Sequence, residues 1–247
     1  MPKSFFIDTS RCTACRGCQL ACKEWYELPP NLTKQRGSHQ NPPDLNPNNY
    51  KLVRFSEYLD GETVRWLFFP DQCRHCLDPP CFEVGNGLVE DAMIHDSITG
   101  AVVYTEKTSQ ISEKDFEDIR DACPYNIPRR NAATGRISKC TMCHDRISRG
   151  LLPACVKACP TGTMNFGERQ DMLDLANARL EKVKKTFPKA MLANPDTVSV
   201  IYLLADDPQR YYSFSVASRA SGMNRKQFLA RLFAPVRQPS ALSVFSG

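Results

Sequence analysis

No stretch of this sequence is apolar enough to cross a bilayer. The longest apolar runs, such as "VSVIYLLA" at 198–205, are strand-sized, well short of the roughly 20 residues a membrane helix needs. The start, "MPKSFFIDTSRC", has neither the apolar segment nor the small-residue cleavage site of a secretory signal, so export is expected only alongside a signal-bearing partner. A net charge of +5 over 247 residues permits docking to an anionic partner but is not the clustered basic face of a nucleic-acid binder. No nucleophile–base pairing stands out, and histidine is scarce, with four in the chain. These absences exclude a membrane span and a nucleic-acid partner and leave no catalytic site to assign. The 42% hydrophobic and 24% charged content is that of an ordinary globular chain, long enough for one large core or two small ones.

What the chain has in abundance is cysteine, twelve in all. "CTACRGCQLAC" (12–22) reads C-x2-C-x2-C-x3-C, the run with which bacterial ferredoxins hold [4Fe–4S] cubes. Close spacing lets one loop present three sulfurs to one cube, while the fourth cysteine, on the following helix, points away to a second cube. Such a run needs a reciprocal one. "CTMCHDRISRGLLPACVKACP" (140–160) supplies it, keeping C-x2-C and a closing C-x3-C-P around an eleven-residue loop. Exchange of fourth ligands then gives one cluster on Cys12, Cys15, Cys18 and Cys159, and another on Cys140, Cys143, Cys155 and Cys22.

The middle motif, "CRHCLDPPC" (73–81), has three cysteines, and Gly85 stands where a swapped fourth belongs. The one cysteine left over, Cys123, closes "EKDFEDIRDACP" (113–124), in which Glu113, Phe116 and Ile119 occupy the other ligand positions of a ferredoxin run. A third cluster is therefore expected on Cys73, Cys76, Cys81 and Cys123. Gly85, Glu113, Phe116 and Ile119 mark a fourth that was lost as a unit, leaving no orphan thiol. Phe116 and Ile119 suit a vacated apolar cavity, and "EKDFEDIRDA" reads as a short helix. Structural zinc also uses C-x2-C pairs but seldom this four-cysteine run, and six disulfides belong to much shorter secreted chains. "CTMCH" (140–144) has the form of a haem c attachment signature, yet a haem there would strand Cys22, Cys155 and Cys159. His75 and His144 are then expected near the clusters or at the surface, not as ligands, and His39 and His95 fall in polar loop or hairpin sequence.

The remaining pattern predicts an α+β fold of two interleaved ferredoxin-like modules. "SFFID" (4–8) reads as a strand and 16–28 as a helix; 29–50, rich in Pro and Asn, reads as a long surface loop. Hairpins are expected over 50–70 and 92–104, a helix over 171–187 and a buried strand over 198–204. Residues 223–236 read as a short amphipathic helix, for the chain's own core or for a partner. Residues 1–50 with 131–170 form the two-cluster module, 51–130 an inserted one-cluster module, and 171–247 an extension packing on the core or on a partner subunit.

The order of these motifs, with "ACKEW" (21–25), "CRHCLDPPC" (73–81), "ACPYNIPRRN" (122–131) and "KCTMCHDRISRGLLPACVKACPTGTM" (139–164), resembles the iron–sulfur beta subunits of molybdopterin oxidoreductases. Within these it is most similar to the soluble formate dehydrogenase beta subunits of sulfate-reducing bacteria. The resemblance covers nearly the whole chain, and its motifs speak more strongly for electron transfer than for formate, since relatives serve dimethyl sulfoxide, nitrate and polysulfide. It implies a non-catalytic subunit in a heterodimer with a large catalytic subunit bearing a tungsten or molybdenum bis-pterin cofactor. It further implies a periplasmic location reached with a twin-arginine-signalled partner (the cytoplasm being the alternative), and a multihaem cytochrome c as acceptor. Two departures stand out: ligands for three clusters where relatives commonly hold four, and no C-terminal membrane helix. A cube lost from the middle would break the relay, so the vacated site is expected at an end or off the path. The competing readings are a subunit of another enzyme of the dimethyl sulfoxide or polysulfide reductase type, or a hydrogenase, and a stand-alone polyferredoxin.

Overall fold

The computed structural model describes residues 2–217; the amphipathic segment expected at 223–236 lies outside the described residues. The chain opens with β1 (Lys3–Asp8) and, after the first cysteine loop, α1 (Gly17–Trp25). Residues 29–50 contain no helix or strand before the hairpin of β2 (Leu52–Asp60) and β3 (Thr63–Asp71). Next come α2 (Pro80–Leu88), a small hairpin of β4 (Met93–His95) and β5 (Val102–Tyr104), and α3 (Glu113–Ala122). A two-residue pair, β6 (Arg129–Arg130) and β7 (Ile137–Ser138), leads into the single turns α4 (His144–Ile147) and α5 (Ala154–Lys157). The chain continues through β8 (Met164–Glu168), α6 (Arg169–Lys184), β9 (Met191–Ala193), β10 (Val200–Leu204) and α7 (Pro208–Tyr211).

One four-stranded sheet, in the order β8-β1-β10-β9, organises the molecule. Its central strands β1 and β10 run parallel, with Phe5 beside Val200 and Ile7 beside Tyr202. Alternation along a strand sends neighbours to opposite faces, and here both faces are covered. Phe5, Ile7, Val200, Tyr202 and Leu204 pack with Cys18, Cys155, Val53 and Phe69, while Phe6, Ile201 and Leu203 pack against Ala176 and Val183 of α6. Burial on both faces is why "VIYLL" is apolar throughout instead of alternating. The tail after residue 171 thus does more than pack on the core: it supplies β10, one of the sheet's two central strands. The β2–β3 hairpin, expected to belong to the inserted module, sends Val53 and Phe69 into the same core.

A buried ionic network fastens the hairpin to the middle cysteine motif. Asp71, fully buried, accepts from Arg54 Nε at 2.7 Å and from Arg74 Nη1 at 2.8 Å. Asp44 of the long loop holds Arg54 and Arg129, each at 2.6 Å. Arg74 also stacks its guanidinium over Tyr202 (4.7 Å) and Tyr125 (5.0 Å). Removing one partner of a buried ion pair leaves the other charge uncompensated, so Asp71→Asn is expected to cost about 3–5 kcal/mol, read as a lower urea midpoint with secondary structure retained at low urea.

Candidate functional site

The C-x2-C pair that opens each of the three motifs folds into one repeated turn. In each, the residue before the second cysteine is left-handed: Ala14 (φ 54°), His75 (φ 47°) and Met142 (φ 63°). Positive φ is uncommon for residues other than glycine, and its recurrence has a local reason. The turn aims a backbone N–H back at the first sulfur, His75 N to Cys73 Sγ at 3.3 Å and Met142 N to Cys140 Sγ at 3.4 Å. The Ala14 N–H acts on Cys12 in the same way. Donors aimed at sulfur favour the thiolate, which is the form that binds metal.

The structure brings eight of the cysteines to two cavities. Cys73, Cys76, Cys81 and Cys123 line one, together with Tyr104 and Lys139. Cys22, Cys140, Cys143 and Cys155 line the other, with Tyr26 and Lys51. The remaining four gather around the start of α1, where the Cys18 thiol lies in the field of Cys159 and Cys15, and Cys12 in that of Cys18 and Cys15. There the first loop meets the last closely: a Cβ on Gly17 would sit 3.2 Å from the Ala158 carbonyl oxygen. Two electrostatic influences between the groups give them an order. Cys155 feels Cys18, and Cys140 feels Cys73, so the set with Cys22 stands between the other two.

Burial dominates the acid–base behaviour of these thiols. It pushes Cys12 up to about 11 and Cys123 and Cys140 up to about 12, with the neighbouring thiolates adding to the rise at Cys123. Cys159 moves the other way: backbone N–H groups of Met164, Thr161 and Thr163 and the Thr161 hydroxyl outweigh its burial. Desolvated thiols of this kind ionise fully only against a positive counter-charge, which bound metal provides. Among the described residues no three His, Cys, Asp or Glu side chains converge as on a single ion, although a zinc site draws its ligands to about 2.0–2.3 Å of one centre. All twelve cysteines are free of disulfides. Four thiols spread around each cavity fit a polynuclear cluster.

Where a fourth set of ligands would stand, the molecule is solid. Phe116 and Ile119, on the buried face of α3, pack with Met93, Val102, Tyr104, Ile111 and Ile137. Gly85 faces Met93 so closely that a Cβ there would fall 2.4 Å from the methionine Cε. Glu113 is exposed at the start of α3, whose Ser112 cap accepts from the Asp115 N–H at 3.1 Å, a helix-starting bond that stabilises by about 1 kcal/mol.

Residues 64–169 match the family described as "4Fe-4S dicluster domain", a span that takes in every cysteine from Cys73 to Cys159. Formate dehydrogenase 2 subunit beta (cytochrome c-553) of Nitratidesulfovibrio vulgaris is 60% identical over 216 residues, 87% of this chain and 99% of that one. The formate dehydrogenase subunit beta of Megalodesulfovibrio gigas is 51% identical over 218 residues, covering 88% and 100%. This chain belongs to the formate dehydrogenase beta subunits. A more distant relative, one of the polypeptides of the anaerobic dimethyl sulfoxide reductase of Escherichia coli, is 33% identical over 165 residues, 66% of this chain and 72% of that one. The family membership agrees with an α+β fold built on ferredoxin-like iron–sulfur motifs. Among the described residues no helix is long and apolar enough to cross a membrane.

Several functional contributors are invisible in the motifs. The turn at 73–76 is pinned to the far end of the chain: Ser199 N donates to the His75 carbonyl at 2.9 Å, Val200 N to that of Arg74 at 3.0 Å, and Leu77 N to that of Thr197 at 3.0 Å. His75 is fully buried and accepts from Val102 N at 3.0 Å through Nδ1. Burial, with the nearby Lys139 charge adding to it, holds His75 far below the usual imidazole range, hence neutral. His144 reaches across to Asp96, 3.0 Å from its Oδ2. The loop at 29–50 straps α1, receiving hydrogen bonds from Arg16 at the His39 carbonyl (3.0 Å), Gln19 at that of Asn41 (2.9 Å) and Lys23 at that of Asn48 (2.8 Å).

Proposed function

We propose that this chain is the electron-transfer subunit of a formate dehydrogenase, carrying electrons from a pterin-bearing catalytic subunit to a soluble acceptor such as a cytochrome c. Its ligand sets are Cys12, Cys15, Cys18 and Cys159; Cys22, Cys140, Cys143 and Cys155; and Cys73, Cys76, Cys81 and Cys123. Each would hold one [4Fe–4S] cluster, which takes up and releases a single electron at a potential set by hydrogen bonds to its sulfurs, burial and nearby charge. The observation that carries the reading is the sorting of the thiols into three neighbouring groups of four, two of them lining cavities and each within the electrostatic reach of the next. The packed remnant of the fourth set shares a core with Cys81 of the Cys73 group, which favours a loss at an end of this line or off it.

The chain's own residues would do three jobs. Backbone N–H groups at the repeated turns stabilise the thiolates; apolar packing from Phe5, Ile127 and Val102 limits the access of water; and the sheet and the buried ion network hold the three sets in fixed relation. The pterin cofactor with its tungsten or molybdenum belongs to the partner, and the compartment proposed is the periplasm, reached with that partner as a heterodimer.

The complex purified anoxically should carry a second, pterin-bearing subunit, and formate should bleach its iron–sulfur absorbance. Co-purification with a subunit that responds instead to dimethyl sulfoxide, or with no subunit at all, replaces the formate part of the reading. Cell fractionation tests the compartment separately. Within this chain, Cys159→Ala should lose one cluster and keep its neighbour, seen as a drop of about one third in iron; unchanged iron refutes the ligand sets.

A further inference from the structure

Two lysines are buried beside the thiol groups. Lys51 is 2% exposed and Lys139 is 5% exposed, where an unpaired ammonium is costly. Lys51 donates to Gln72 Oε1 and to the Pro70 carbonyl at 3.4 Å. Lys139 donates to the Val102 carbonyl and, at 3.1 Å, to that of Cys140, and its Nζ stands 4.7 Å from the Tyr104 ring centroid. All of these acceptors are neutral, and among the described residues neither lysine is paired with a carboxylate. The compensating negative charge has to come from the thiolates.

Position separates the two. Lys51 lines the cavity of Cys22, Cys140, Cys143 and Cys155, and its charge also opposes the rise of Cys12 and Cys18 in the adjoining set. Lys139 lines the cavity of Cys73, Cys76, Cys81 and Cys123 and acts on Cys76, Cys81 and the neighbouring Cys140.

We propose that Lys51 and Lys139 are fixed internal cations that set the reduction potentials of this chain, Lys51 for the two clusters sharing the Cys12–Cys22 and Cys140–Cys159 runs, and Lys139 chiefly for the cluster of Cys73. The inference rests on the ligand sets proposed above. A cube on four thiolates is anionic and gains one negative charge on reduction, so a buried ammonium nearby favours the reduced form.

The test is a potentiometric titration followed by electron paramagnetic resonance on the full chain in its purified complex, each transition assigned by the matching cysteine variant. Lys51→Met should move two of the chain's three transitions to lower potential, by at least a tenfold change in the reduction equilibrium, about 59 mV for a one-electron couple. The transition it leaves in place should be the one that Lys139→Met moves most. Lys51→Arg, keeping the charge, should restore most of the shift. Unmoved potentials in variants that hold all three clusters overturn the proposal, as does an equal shift of all three transitions by either variant. If Lys51→Met loses iron, Lys51→Gln carries the test, and iron loss in both makes the lysine a folding element and overturns the proposal too. A wild-type complex without three transitions from this chain overturns the ligand reading and this inference together, whereas three transitions with unmoved potentials overturn this inference alone.

Discussion

Cys123→Ala is expected to strip one cluster from the chain and leave the other two. Cys123 follows α3, and its N–H is tied to the Arg120 carbonyl at 3.1 Å. It is the one cysteine of its cavity that comes from outside the 73–81 loop. Three thiols remain after the substitution, and no spare cysteine exists to replace the fourth, because the other eight are engaged in their own groups. Iron should fall by about a third, and the electron paramagnetic resonance signal that disappears should differ from the one removed by Cys159→Ala. A cube at the Cys73 group that survives with its signal unchanged would mean that some other group is its fourth ligand. Loss of this cluster should also slow electron delivery from formate to an external acceptor much more than it slows reduction of the two clusters that remain.

The second large effect is on stability and leaves the wire intact. Phe116→Ala opens a hole in the plug that stands where a fourth cube would, among Met93, Ile119, Ile111 and Ile137. Truncation of a buried phenylalanine costs about 3–5 kcal/mol, a large share of a typical domain's roughly 5–15 kcal/mol. Because unfolding of a cluster protein is seldom reversible, the measurement is the rate at which the cluster absorbance bleaches on warming. That rate should rise steeply, while the iron content and potentials of the freshly purified variant match those of the parent. Restoring the missing ligands is a stricter form of the same test. Gly85→Cys, combined with cysteines at 113, 116 and 119, should fail to build a fourth cube unless Met93 is also trimmed, since its Cε occupies the space that a Cβ at 85 requires.

The proposed ligand sets could be written down from the sequence because cysteine spacing is a local property, laid out within runs of about twenty residues. The hairpins at 52–71 and 93–104, α3 and α6 were legible for the same reason: a strand-and-turn pattern or a helical pattern lies within each segment. Helix α2 was not, because Gly85 and Gly87 disfavour a helix interior, although Pro80 at its first turn is a helix-starting position. Its surroundings decide the matter, with Asn86 bonded to both the N–H and the carbonyl of Met93, at 2.8 and 2.9 Å. Lys51 and Lys139 gave no signal at all, because a lysine bound for the interior looks like any surface lysine until the chain has folded around it. The partnership of β1 with β10 was equally hidden, since each strand reads as buried but nothing in either names its partner.

That partnership has a consequence for the order in which the molecule can be made. Parallel pairing of Phe5 with Val200, and the bonds from Ser199 and Val200 to the turn at 74–75, join segments separated by most of the chain's length. A polypeptide emerging from the ribosome has its first cysteine loop early and its central strand almost last. Until residues 197–204 arrive, the sheet lacks its middle and the Cys73 loop lacks its anchor, so the nascent chain exposes thiols that nothing yet holds in place. Such long-range closure is slow to form. The turn at 74–75 is therefore expected to gain its anchor, and the Cys73 group its final geometry, only after β10 has been made.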